Sequence, residues 1–75
     1  MKKTIYSNEH KLIVERLKKA RLDAGLDQVA VAKRLGKTQS YVSKLEAGQR
    51  RIDLVQLKTF AKLYGKDLSY FIKIK

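Results

Sequence analysis

Lysine and arginine are the side chains of this sequence with the clearest capacity for chemistry, and that chemistry is the binding of anions. The 75 residues include 18 Lys and Arg against seven Asp and Glu, which gives a formal net charge of +11. Neutralising phosphates releases condensed counterions, so the composition favours a polyanionic partner such as nucleic acid. Attachment to a membrane surface would instead need a helix with a wide apolar face that the core does not use. A basic surface with no specific partner is the third interpretation.

Residues suited to catalysis or metal binding are few. The chain has one histidine, His10, and no cysteine. His10 has no carboxylate at the spacing of metal ligands, and we expect it to be exposed to solvent. Asp27, Asp53 and Asp67 stand where helices are predicted to begin, so they are explained as caps rather than as an acid–base pair. We therefore expect no catalytic residue, no metal, no cofactor, no small-molecule ligand and no enzyme activity.

Apolar runs in the sequence are short, and the run at 29–32 is typical. None could span a bilayer, and no apolar stretch follows the two N-terminal lysines as a signal peptide would require. We expect a soluble, cytoplasmic protein that does not bind membranes. From this length we expect one domain, without a separate catalytic or sensor domain. Residues 1–7 are predicted to be a flexible tail, and residues 8–75 a single domain.

Five segments with helical periodicity, separated by four glycines, predict an all-α fold. The segments are 9–24, 27–35, 38–47, 53–64 and 67–72, with a glycine closing each of the first four. The first segment is predicted to bury Ile13, Leu17, Ala20 and Ala24, and the fourth to bury Leu54, Leu57, Phe60, Ala61 and Tyr64. Thr38 and the three aspartates are predicted N-caps, and Gln56 stands at the capping-box position after Asp53.

The most informative stretch is residues 26–46, LDQVAVAKRLGKTQSYVSKLE. Its two short helical segments are joined by only three residues, 36–38, which suits the steep crossing of a helix-turn-helix. A small shared core would be formed by Val31, Ala32, Leu35, Val42 and Leu45.

This stretch resembles the XRE-type helix-turn-helix of phage repressors and Cro proteins. The likeness rests on the motifs GLDQ at 25–28, LG at 35–36, TQSYVSKLE at 38–46 and GQRR at 48–51, and continues in FAKLYG at 60–65 and LSYF at 68–71. It covers about residues 13–72. The resemblance implies a compact five-helix, lambda-repressor-like fold with residues 39–47 as the recognition helix in the major groove.

The resemblance also implies which side chains meet base edges: Gln39, Ser40 and Lys44, with Ser43 as a further candidate. If Val42 faces the core, these four occupy the opposite, exposed side of the helix. Glutamine can form two hydrogen bonds with adenine N6 and N7, and lysine can donate to guanine O6 or N7.

Other positions are implied to contact phosphates. These are Gln28, Lys37, Thr38, Tyr41, Arg50 and Arg51. Asp27 departs from the family, which commonly has an uncharged cap there, and its charge opposes a phosphate docking beside Gln28. Arg21 and Glu46 match two positions that form an internal ion pair in the family, so Arg21 is predicted to be structural rather than a DNA contact.

The resulting functional hypothesis is a sequence-specific regulator of transcription, a repressor, that binds double-stranded DNA as a homodimer on a palindromic site. The apolar residues within 70–75 exceed what a fifth helix needs, so this segment is predicted to help pair two subunits, although a frayed C-terminus explains it equally well. An antitoxin or a restriction–modification controller of the same fold remains open. So does a protein-interaction module without DNA readout.

Overall fold

The computed structural model describes residues 8–72, which form five helices and, within that range, no strand. Helix α1 spans Asn8–Asp23, α2 Gln28–Leu35, α3 Gln39–Glu46, α4 Leu54–Tyr64 and α5 Leu68–Phe71. The all-α, five-helix prediction is confirmed. The predicted tail at 1–7 and the last part of the predicted pairing segment, 73–75, lie outside the described residues.

The N-termini of α2, α3 and α4 are capped by local side chains, as the sequence predicts. Asp27, Thr38 and Asp53 each accept a hydrogen bond from the backbone N–H three residues later, at 2.8–3.1 Å. Gln56 completes a capping box, because its Oε1 accepts from the Asp53 backbone N–H at 3.0 Å. The predicted side-chain cap at Asp67 is wrong. The Asp67 backbone is extended, as at an N-cap, but its side chain makes no capping hydrogen bond.

One core joins all five helices. Its buried members are Leu17, Ala20, Val31, Ala32, Val42, Leu45, Leu57, Phe60, Ala61, Tyr64 and Phe71. Two predicted core positions are exposed. Ala24 lies in the turn after α1 has ended, and Leu54, the first residue of α4, is 53% exposed.

The turn between α2 and α3 sets the crossing of these two helices. Gly36 ends α2 in the left-handed conformation with φ 69°, and the backbone N–H of Lys37 donates to the Ala32 carbonyl at 2.9 Å. A Cβ at Gly36 would meet nothing within 4 Å, so the backbone angle rather than space requires glycine there. Thr38 then starts α3 at once, and this keeps the connection short.

Candidate nucleic-acid interface

Helix α3 has one buried and one exposed side. Val42 and Leu45 are each 1% exposed and belong to the core. The side chains predicted to contact bases are all exposed: Gln39, Ser40, Ser43 and Lys44. Their spacing of i, i+1, i+4 and i+5 puts them on a single face, so α3 presents amide, hydroxyl and ammonium groups together. The helix ends one residue before the predicted boundary, because Ala47 is its C-cap.

A chain of hydrogen bonds leads from this face into the protein. Gln39 Nε2 donates to Gln28 Oε1 at 3.3 Å, and Gln28 Nε2 donates to Glu46 Oε1 at 3.1 Å. Gln28 is half-buried, whereas Gln39 is exposed. Gln28, which is predicted to contact a phosphate, therefore also holds the side chain of Gln39, the first residue of α3.

The bond to Gln28 leaves Gln39 able to bind a base. A primary amide has two N–H donors and a carbonyl acceptor, and the contact with Gln28 uses only one N–H. The second N–H and the carbonyl are the pair that would meet adenine N7 and N6. Because the inner end of the amide is held, its orientation toward a base edge is restricted.

Arg21 and Glu46 form the inner end of this network and join α1 to α3. Arg21 Nε lies 2.7 Å from Glu46 Oε2, and Nη2 lies 3.2 Å from Oε1. Arg21 Nη1 also donates to the Leu26 carbonyl at 2.9 Å. Arg21 is only 7% exposed, and its hydrogen bond to the Glu46 carboxylate raises the pKa of the guanidinium above its ordinary value. The pair anchors the last residue of α3.

A basic depression lies beside the start of α3. It has a volume of about 550 Å³, is open to solvent, and is lined by Gly36, Lys37, Thr38, Ser40, Tyr41, Lys44 and Arg50. Lys37 Nζ lies 5.3 Å from the centroid of the Tyr41 ring, and Arg50 Cζ lies 5.0 Å from it. Arg51 is exposed but does not line this depression. Two exposed cations thus lie near one aromatic ring beside the exposed face of α3.

Residues 17–71 match a family model described as helix-turn-helix. The chain belongs to the XRE-type helix-turn-helix family. This confirms the resemblance seen in the sequence and places the helix-turn-helix domain at residues 17–71. No curated protein matches the chain.

Two solved structures share the fold of this XRE-type domain. Both are crystal structures of HppE with Fe(II), one in complex with substrate (form 2) and one with the alternative substrate (S)-1-HPP. Each is 28% identical over 83% of this chain, with a TM-score of 0.75. The chain spans about a third of the length of those proteins, 33% and 32%. The likeness therefore concerns the helix-turn-helix portion.

Reasoning from sequence missed the contacts of two side chains beside the exposed face of α3. Gln56 Nε2 donates to the Tyr41 hydroxyl at 2.8 Å, in addition to its capping role. Lys18 of α1 lines a small depression together with Gln28 and Ser43. Neither placement has a local signal, because each depends on how a distant helix packs against α3.

The environment of His10 differs from its predicted exposure. It is half-buried, and its Nε2 lies 4.0 Å from where a Cβ on Gly48 would stand. Among residues 8–72, no three His, Asp or Glu side chains are grouped so that they could hold a metal ion. Over the same range, no helix has the length and apolar character to cross a membrane.

Proposed function

We propose that this chain is a cytoplasmic transcription repressor that recognises specific double-stranded DNA sequences by inserting α3 into the major groove. The observation that carries the proposal is the exposed face of Gln39, Ser40, Ser43 and Lys44, next to the depression lined by Lys37 and Arg50. Amide and ammonium groups suit the acceptors and donors of base edges in that groove. Cations at the flank suit the phosphates on either side.

Phosphate contacts would fix the orientation of α3 over the bases. Lys37, Thr38, Tyr41 and Arg50 surround the start of the helix, and exposed Arg51 follows in the loop. Gln28 can add a contact through its second amide N–H, since the first donates to Glu46. The Asp27 carboxylate, which caps α2 at 2.8 Å, opposes a phosphate there and weakens this contact. The activity we propose is binding without catalysis.

Base and phosphate contacts respond differently to mutation. We expect Lys44→Ala to relax the sequence preference at one base pair by about 1–3 kcal/mol, since an ammonium that donates to guanine is lost. We expect Arg50→Ala to weaken binding to all duplexes by a similar factor, because phosphates carry no sequence information. Titration of both variants against a set of single-base-pair substitutions measures this. Equal losses on every duplex from both changes would exclude base recognition by Lys44.

We also propose that the chain acts as a homodimer on half-sites about one helical turn apart (~34 Å). Phe71 is 1% exposed and belongs to the protein's own core, so it is not available for pairing. Ile72 is half-buried and lines an apolar depression of about 210 Å³ with Leu12 and Ile13. We propose that the partner subunit binds this apolar surface and residues 73–75, which lie outside the described range.

Removal of residues 73–75 is expected to convert the dimer to a monomer, because part of the apolar pairing segment is lost. The shortened chain should end at Ile72, since loss of Phe71 would damage the core. Light scattering at equal concentrations of the full and shortened chains measures the change. A dimer of unchanged mass would exclude residues 73–75 from the interface.

Selection of bound duplexes from a pool of random sequence tests the proposed function as a whole. A repressor of this kind should enrich a short palindromic sequence. Enrichment should be lost when Gln39 and Lys44 are replaced together by alanine. Failure of the unaltered chain to enrich any sequence would contradict the proposal and favour a protein-interaction module.

A further inference from the structure

The side chain of Gln56 is held at both ends of its amide. Its Oε1 accepts from the Asp53 backbone N–H at 3.0 Å, while its own backbone N–H donates to Asp53 Oδ1 at 2.8 Å. Its Nε2 donates to the Tyr41 hydroxyl at 2.8 Å. The capping box is complete with the first two of these bonds. The third connects the start of α4 to a residue 15 positions earlier in the chain, on α3.

The direction of this third hydrogen bond determines what the Tyr41 hydroxyl can do. An amide N–H can only donate, so the phenol oxygen acts as the acceptor. The phenol proton must then point away from Gln56 and is available as a donor. Tyr41 lines the basic depression, so an oxygen atom of an anion bound there could accept this proton.

The Tyr41 ring also contacts the two cations that flank it. Lys37 Nζ and Arg50 Cζ lie 5.3 Å and 5.0 Å from its centroid. These side chains are exposed and long, and contact with a fixed aromatic ring limits the positions that they occupy. Whatever fixes the Tyr41 ring therefore also limits where the two charges lie.

We propose that Gln56 is a positioning residue of the DNA interface: it holds the Tyr41 phenol so that its O–H donates to a DNA phosphate, with Lys37 and Arg50 arranged around the same phosphate site. The proposal rests on the proposed function, because it assumes that the depression meets the DNA backbone. The capping box of α4 then has a second role: because Gln56 bonds to Tyr41, the position of α4 determines where the phosphate-contacting side chains of α3 lie.

A double-mutant cycle tests the proposal. Affinity for a fluorescent pool of 24-bp duplexes of random sequence is measured for the unaltered chain, Gln56→Ala, Tyr41→Phe and the double variant. Each single change should weaken binding about tenfold per bound subunit, the value of one hydrogen bond to a charged group. The double variant should bind no more weakly than the single variants, because Gln56 acts through the hydroxyl that Tyr41→Phe removes. Thr59→Ala is the matched control, since Thr59 lies one turn after Gln56 and its hydroxyl donates to the Val55 carbonyl.

Circular dichroism of each variant at the assay temperature separates binding from folding. If Gln56→Ala is unfolded, Gln56→Glu replaces it. Glutamate keeps the capping box but accepts the phenol proton, so it should weaken binding more in the Tyr41 chain than in the Tyr41→Phe chain. A double variant that binds about tenfold more weakly per subunit than either single variant, or a Gln56→Ala affinity equal to that of Thr59→Ala, would overturn the proposal. Absence of binding by the unaltered chain would instead overturn the proposed function, and this proposal with it.

Discussion

Replacing Arg21 by alanine is expected to lower the free energy of unfolding by about 3–5 kcal/mol, the cost of leaving one partner of a buried ion pair without the other. The Glu46 side chain is only 6% exposed, so solvent is poorly placed to replace the two hydrogen bonds that it would lose. The Leu26 carbonyl would lose its contact as well. Small domains have a total stability of roughly 5–15 kcal/mol, so the substitution would remove a large fraction of it and bring the Arg21→Ala chain close to unfolding. Urea denaturation followed by circular dichroism measures the loss.

The chain offers a matched control for this experiment. Lys66 Nζ lies 3.5 Å from Asp23 Oδ2, but these side chains are 29% and 48% exposed. Asp23→Asn removes this pair without disturbing the contact of Lys66 with the Tyr70 ring, and it is expected to cost less than about 1 kcal/mol, as other surface pairs do. Replacing both Arg21 and Glu46 by apolar residues of similar size should recover much of the stability, since no charge is left buried. An unchanged melting temperature in Arg21→Ala, together with lost DNA binding, would show that Arg21 is a DNA contact.

Binding to DNA is expected to weaken about 10³-fold between about 50 and 200 mM salt. Lys37, Arg50 and Arg51 are three exposed cations near α3, and a dimer would present about six of them to phosphates. Six neutralised phosphates correspond to the lower end of the range of ~10³–10⁵-fold that is typical of 6–10 contacts. A monomer with three would lose only roughly 40-fold over the same range. The salt dependence of affinity therefore reports both the electrostatic interface and the number of subunits bound.

Single substitutions identify which cations contribute. Arg50→Ala should reduce the slope of log affinity against log salt by about one per subunit. Lys62→Ala removes an equal charge from an exposed position on α4 outside the basic depression, and it should leave the slope unchanged. An affinity that hardly responds to salt, or equal effects of both substitutions, would contradict a phosphate site beside α3.

Features determined by neighbours in sequence could be predicted, and features determined by packing could not. The caps at Asp27, Thr38 and Asp53 follow from the next turn of chain, and the structure has them where the pattern indicates. The exposed side of α3 follows from the burial of Val42 and Leu45. These are local or periodic properties of the chain.

Other features arise only when helices meet. The hydrogen bond from Gln56 to Tyr41 requires α4 to lie beside α3, and no spacing in the sequence encodes that distance. The exposure of Leu54 has the same origin, because helical periodicity cannot tell whether the first turn of α4 reaches the core. His10 is half-buried because the loop after α3 brings Gly48 against α1.

The central claim is that the exposed side of α3 meets base edges in the major groove. Intermolecular nuclear Overhauser effects between the protein and a duplex recovered by selection test it most directly. The side-chain protons of Gln39, Ser40 and Lys44 should show contacts with thymine methyl groups or cytosine H5, which lie in the major groove. Contacts to those base protons from α1 or α5 instead, with none from α3, would contradict the account.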